Sequence, residues 1–215
     1  MREAPRRLAA LPKAVWWELA RAFKKRRARP GSTFYRPRQP ARELYFLEEG
    51  MVRLVAEDPS GREVTVAVVE AGGVFGEASL IPADRYGHAA VALTPATVFH
   101  LPAAVVTALM QESRELSELM ARLLLERRHR GDAWLVATRR SRPREKLARL
   151  LLELARETEE GMVVAMGHRE LAAILGLARE TVSRLLARMY HEGLVETAFR
   201  RVILRDPAGL EELLR

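Results

Sequence analysis

Four polar side chains lie close together near the C-terminal end of the chain: Arg179, Glu180, Ser183 and Arg184, within "GLARETVSRLL" (Gly176–Leu186). An arginine fork can donate two hydrogen bonds to O6 and N7 of a guanine, and a glutamate can accept one from N4 of a cytosine. Held outward together at the start of a helix, these side chains have the chemistry to read base edges in a major groove. The competing chemistry is a solvated helix face on which Glu180 and Arg184 pair at i, i+4.

The choice between the two rests on the elements that position them. A helix-turn-helix imposes a packing code, and the window His168–Ala187 satisfies it. Its fifth position, where the helices cross, is the small Ala172, and its ninth, in the turn, is Gly176, suited to a left-handed backbone. Val182 and Leu185 then pack back onto the first helix, with Leu171, Leu175 and Leu186 completing the apolar face. This arrangement turns Arg179, Glu180, Ser183 and Arg184 outward. Two strand-like runs follow, "LVETA" and "RVILR", joined by Phe199-Arg200-Arg201, before Pro207 opens a short last helix. Upstream come a helix over 144–157 with Pro143 in its first turn, an acidic turn over 157–161 and a short strand "MVVAM". The expected unit is a winged helix-turn-helix over 139–215.

Ahead of it lie two other textures. Residues 8–29 read as a short helix and a basic run (Lys24, Lys25, Arg26, Arg27, Arg29), stopped by Pro30-Gly31. From Thr33 to about Leu101, short strand-like runs alternate with turn signals: "ELYFLEEG", "MVRLVAED", "EVTVAVVEAGG" and "ATVFHL", with Asp58–Gly61 as a hairpin turn. This spacing predicts a β-barrel or jelly roll. From about Pro102 to Thr138 only Gly131 interrupts a helical pattern. There Leu116, Met120, Leu123, Arg127, Arg130 and Trp134 recur three or four apart, widened by Leu119 and Leu124. The stripe fits a coiled-coil seam with a second chain, the alternative being a helix buried on its own barrel. The expected organisation is α+β: an N-terminal helix and β-roll over 1–111, a dimerisation helix over 112–138, and the winged domain over 139–215.

Composition narrows the function classes. Net charge is +8, unevenly spread: residues 1–40 carry 12 Lys/Arg against 2 acids, residues 41–138 carry 9 against 14, and residues 139–215 carry 15 against 12. Basic flanks around an acidic middle favour a polyanionic partner. The absence of cysteine excludes disulfides, thiolate-held iron–sulfur clusters, thiol catalysis and cysteine-ligated zinc. The five histidines (His88, His100, His129, His168, His191) do not cluster as metal ligands. Neither a signal peptide nor a membrane span is legible, so no membrane partner and a cytoplasmic location are expected. The acidic pairs Glu48-Glu49 and Glu159-Glu160 precede turn glycines as exposed charges, and no nucleophile–base constellation argues for an enzyme.

The stretch "RETVSRLLARMYHEGLVE" resembles the DNA-binding signature of the cyclic-AMP receptor protein/FNR family. "ELYFLEEGMVRL" is similar to that family's β-roll hairpin, "GGVFGEASLI" to the start of its phosphate-binding cassette, and "RPREKLARLLLELA" to the first helix of its DNA-binding domain. The resemblance covers roughly residues 32–205. It implies a cyclic-nucleotide-binding-like β-roll, a long dimerisation helix and a homodimeric, sequence-specific transcription regulator. By it, Arg179, Glu180 and Arg184 match base-reading positions, and Ser183 accompanies them. His168 and Arg169 match the region touching phosphates, and Arg200 and Arg201 on the wing are candidates for the same or are simply exposed turn charges. Leu116, Met120, Leu123, Arg127 and Trp134 are assigned to the dimer seam. The implied partners are double-stranded DNA carrying a TGTGA-like inverted repeat, a second copy of the chain, and RNA polymerase, met through the turn near residues 157–161.

In cyclic-nucleotide-binding members of that family the cassette begins F-G-E and ends R-S-A, the Glu holding ribose and the Arg the cyclic phosphate. Phe75-Gly76-Glu77 is present here, but the Arg and Ser slots hold Gly87 and His88, and Arg85 lies two residues early. A buried phosphate without a cation is costly. The expectation is therefore a regulator that needs neither cyclic AMP nor a cofactor, and the family resemblance alone implies an activator rather than a repressor. The alternatives are the same scaffold gated by another small molecule, repression, or a non-specific architectural DNA binder. The basic run 24–29 either touches flanking DNA or keeps the surface soluble.

Overall fold

The computed structural model describes residues 5, 7–8, 11–59, 61, 63–138 and 141–214, with the side chains of residues 130 and 133–138 excepted. The chain divides into two compact units, Met1–Asp132 and Ala133–Arg215. Among the described residues no helix is long and apolar enough to cross a membrane.

The first unit opens with α1 (Lys13–Ala22), followed by strands β1 (Lys24–Ala28), β2 (Thr33–Tyr35), β3 (Glu43–Glu49), β4 (Met51–Glu57), β5 (Glu63–Glu70), β6 (Val74–Phe75), β7 (Ala89–Ala92) and β8 (Ala96–Pro102). They form two four-stranded sheets, ordered β1-β8-β3-β6 and β2-β7-β4-β5, with every named pairing antiparallel. The pleat explains why β3 reads as an unbroken apolar run. Tyr45 and Leu47 point into the core between the sheets, while Leu44 and Phe46 point out the other side into a second core. Strand β8 does the same with Val98 inward and Phe99 and Leu101 outward. On the edge strand β5, Ala67 and Val69 face the core and Val64 and Val66 are exposed.

The basic run is itself β1, an edge strand on which Lys24, Lys25, Arg26 and Arg27 are all exposed. Strand pairing with β8 extends it, and charge guards its open side.

The second core is covered by α1, by α2 (Ala103–Glu112) and by the first half of α3 (Arg114–Thr138). The helical pattern from Pro102 is broken at Ser113, which is extended with φ −122°, whereas Gly131 lies within α3. The Ser113 hydroxyl then accepts the Leu116 N–H at 3.2 Å and starts the new helix.

The second unit contains α4 (Pro143–Leu154), β9 (Arg156–Thr158), β10 (Gly161–Val164), α5 (His168–Leu175), α6 (Arg179–His191), β11 (Val195–Ala198), β12 (Arg201–Leu204) and α7 (Pro207–Glu212). Its sheet runs β11-β12-β10-β9. The acidic turn proves to be a hairpin, with residues 156–158 pairing with 161–163. Pro143 opens α4, and the Glu145 carboxylate accepts the Arg142 N–H at 3.0 Å, satisfying a donor the helix itself leaves unpaired.

The stripe assigned to a partner chain is corrected by this packing. Leu116, Met120 and Leu123 are buried within their own protomer, against Phe46, Phe99, Leu101 and α1. Arg127 on the same stripe turns into the β-roll rather than outward. The Trp134 side chain lies outside the described residues. An apolar period marks a helix face that must be covered, and here the chain's own sheet covers it.

Candidate nucleic-acid interface

Helices α5 and α6 meet through Leu171, Ala172, Val182 and Leu186, all buried. Between them Gly176 closes α5 in the left-handed region, φ 65°, where a Cβ would be strained. The Leu177 N–H donates to the Ala172 carbonyl at 3.0 Å, tightening the turn. With those residues inward, Arg179, Glu180 and Arg184 are exposed on the leading turns of α6. Among the described residues none supplies an ion pair or side-chain hydrogen bond to these three, and the i, i+4 pairing of Glu180 with Arg184 is not made. Three charges are thus presented to solvent from a rigid support.

The neighbouring candidates are more engaged. His168 Nδ1 and Ser183 Oγ lie 2.8 Å apart, tying the start of α5 to the face of α6. Partial burial, then the Arg179 charge, lowers the His168 pKa, which favours the neutral ring. Arg169 is exposed beside it. On the wing, Arg200 donates to Glu170 Oε1 at 2.6 Å and Arg201 to Glu160 Oε1 at 2.8 Å. The Glu170 carboxylate is only 13% exposed, so the first pair pins the tip of the wing against α5. A Cβ at Gly167 would come within 3.7 Å of the Arg200 Cα, which shows how closely the two approach. Sequence reasoning gave Arg200 and Arg201 no partners, because 30 and 41 residues separate them from the acids they meet.

The cassette region has a different chemistry. Gly76, at φ 83°, brings the chain so near β3 that a Cβ would lie 2.9 Å from the Glu43 carbonyl oxygen. Glu77 follows in a short 3-10 turn, Glu77–Leu80, and both of its oxygens accept from Arg127, one of them at 3.0 Å. Arg127 also donates to the Val74 carbonyl oxygen at 3.3 Å. Burial pulls the Glu77 pKa up, but Arg127's hydrogen bond and charge outweigh it, and the carboxylate stays below its ordinary range. Arg85 spends its guanidinium on the Arg38 carbonyl, 2.7 Å away. Gly87 adds no side chain. His88 Nε2 lies 3.2 Å from the Tyr35 hydroxyl, and burial lowers its pKa against the pull of Glu77. Around them, Tyr35 stacks on Tyr86 at 3.7 Å and Tyr45 on Phe75 at 4.9 Å. Fifty residues separate Glu77 from Arg127, so their pairing leaves no periodic trace in the sequence. A glutamate after a tight glycine and an inward arginine on the facing helix stripe were the available signals.

Residues 25–113 match the cyclic nucleotide-binding domain family, and residues 145–213 match the Crp-like helix-turn-helix domain. The sequence is 37% identical to the transcriptional regulator LdrP of Thermus thermophilus over 184 residues, 83% of this chain and 91% of LdrP. It is 32% identical to the cyclic AMP receptor protein of the same organism over 197 residues, 91% of each chain. A solved CRP-family transcriptional regulator, also from Thermus thermophilus, superposes with a TM-score of 0.76 at 34% identity, over 88% of this chain and 96% of that one.

Proposed function

The chain belongs to the CRP family of DNA-binding transcriptional regulators, and from that premise we propose that it is a homodimeric activator that reads its operator without cyclic AMP. The observation carrying the DNA-reading half is the exposed Arg179–Glu180–Arg184 trio on α6, unengaged among the described residues. Arg179 and Arg184 take guanines bidentately and Glu180 takes a cytosine amino group, which suits a TGTGA-like half-site and its inverted repeat. Ser183, His168, Arg169, Arg200 and Arg201 border that surface and serve backbone contacts, which fix register without reading sequence.

Effector independence is supported by the cassette chemistry. The cation that reaches into it, Arg127, is already neutralised by Glu77. Arg85 is bonded elsewhere, and His88 has a lowered pKa. A cyclic phosphate entering this site would meet a carboxylate whose countercharge is taken. Activation requires contact with RNA polymerase, for which the exposed acidic hairpin at 157–160 is the candidate surface.

The test is selection of duplexes from a random pool by the purified chain with no added ligand, followed by calorimetry with cyclic AMP. Enrichment of an inverted repeat and no heat of cyclic AMP binding are expected. Enrichment only after cyclic AMP is added overturns effector independence, and binding governed by salt but indifferent to sequence overturns base reading.

A further inference from the structure

Phe199 is the most exposed large apolar side chain among the described residues, at 92%, and it sits at the tip of the β11–β12 wing. The geometry points to Phe199 as a minor-groove wedge: an apolar ring that enters the groove beside the half-site read by α6 and biases binding toward easily deformed flanking steps. This rests on the DNA-reading function proposed above and adds to it a specificity residue outside the recognition helix.

The tip is not built from turn-forming residues. Ala198 pairs with Arg201, leaving Phe199 and Arg200 as a two-residue connection, a place where Asn-Gly or a similar pair ordinarily relieves the backbone. Arg200 instead adopts φ 53°, a left-handed conformation unfavourable to a long side chain. Neither residue is one that favours the turn. The Arg200 side chain braces the tip against the start of α5 through its bond to Glu170. The Phe199 ring meets no other ring among the described residues and is left 92% exposed.

The surroundings point to what it meets. Arg200 and Arg201 follow the ring in the chain and, though paired with Glu170 and Glu160, keep side chains 46% and 44% exposed, in a stretch (residues 139–215) that carries 15 Lys/Arg against 12 acids, which suits a polyanion. The tip is tied through Glu170 to the helix whose first residue, His168, touches Ser183 on α6, so ring and base-reading trio are held by one short chain of contacts. Apolar side chains inserted from a minor groove partly unstack a base step and bend the duplex, at least cost where the step is TA or CA/TG.

The experiment uses full-length protein and the duplexes that wild type itself selects from a random pool. Affinity across a salt series, and bending by energy transfer between end labels, are measured for wild type, Phe199→Ala, Phe199→Leu and Arg179→Ala. Phe199→Ala is expected to bind about tenfold more weakly, from the lost burial of the ring. Its salt slope stays unchanged, because an apolar side chain displaces no counterions. It also bends DNA less and loses the preference for flexible steps outside the half-site. Phe199→Leu keeps much of the bend, since leucine also serves as a wedge. Arg179→Ala loses the half-site preference instead. Binding and bending by Phe199→Ala that match wild type overturn the inference, including the case in which only transcription suffers, which would put the ring against a protein. Should wild type enrich no sequence at all, the DNA-reading function fails first and this inference with it.

Discussion

Arg179 carries its charge on the first turn of α6 with nothing among the described residues to neutralise it. Replacing it by alanine removes a bidentate donor without disturbing a packed group. The expected loss is about 1–3 kcal/mol of discrimination between cognate and mismatched half-sites. Weak binding sensitive to salt should persist, and competition titrations with cognate and random duplexes read both quantities. A second expectation concerns His88. Burial lowers its pKa, with Glu77 pulling the other way and Arg127 adding to the depression. The folded chain therefore takes up this proton less readily than the unfolded chain does. Stability from His88 is full above the unfolded value of about 6.5 and is lost as pH falls through it toward the depressed folded value. Thermal melts at pH 7.5 and 5.5, a window in which Glu77 stays ionised, should show a larger drop in Tm for wild type than for His88→Gln. An equal drop in both assigns the acid sensitivity to other groups.

The long helix shows what a periodic pattern can and cannot specify. Its apolar stripe was legible because Leu116, Met120 and Leu123 repeat at helical spacing, but the pattern is silent on whether a partner or the same chain covers it. The structure gives the cover to β3, β8 and α1, and leaves Leu125 on the opposite side, 51% exposed. Two substitutions on one element should thus behave differently. Leu116→Ala empties a fully buried site and should cost about 2–5 kcal/mol in a denaturant melt. Leu125→Arg should leave the melt of the protomer nearly unchanged and shift light scattering toward monomer, as expected if α3 pairs through its outward face. By contrast, the α5–α6 pair was legible almost in full, because Ala172, Gly176, Val182 and Leu186 answer to each other within 15 residues. The brace between Glu170 and Arg200 was not, since a charge pair across 30 residues leaves no periodic trace. The basic run was legible as charge but not as a strand. Four consecutive cations oppose strand propensity, and only pairing with β8 carries them.

At the scale of the whole molecule, the charge asymmetry bears on how tightly the protein holds any DNA before sequence is read. The basic residues of β1 lie on an open sheet edge, where like charge keeps two copies from pairing edge to edge. Arg26 is further occupied by the Thr33 carbonyl and the face of Phe34, and Lys25 lies over Phe99. An edge guard and a DNA clamp make opposite predictions for one variant, Lys24→Gln/Lys25→Gln/Arg27→Gln. If the strand clamps flanking DNA, the slope of log affinity against log salt should flatten by nearly one unit for each phosphate the variant no longer neutralises. If it guards the edge, that slope should be unchanged while the protein aggregates at lower concentration. The occupied state of Arg26 and Lys25 and the edge position of β1 favour the second outcome. DNA affinity would then reside in the winged unit, where the unengaged cations of α6 are found.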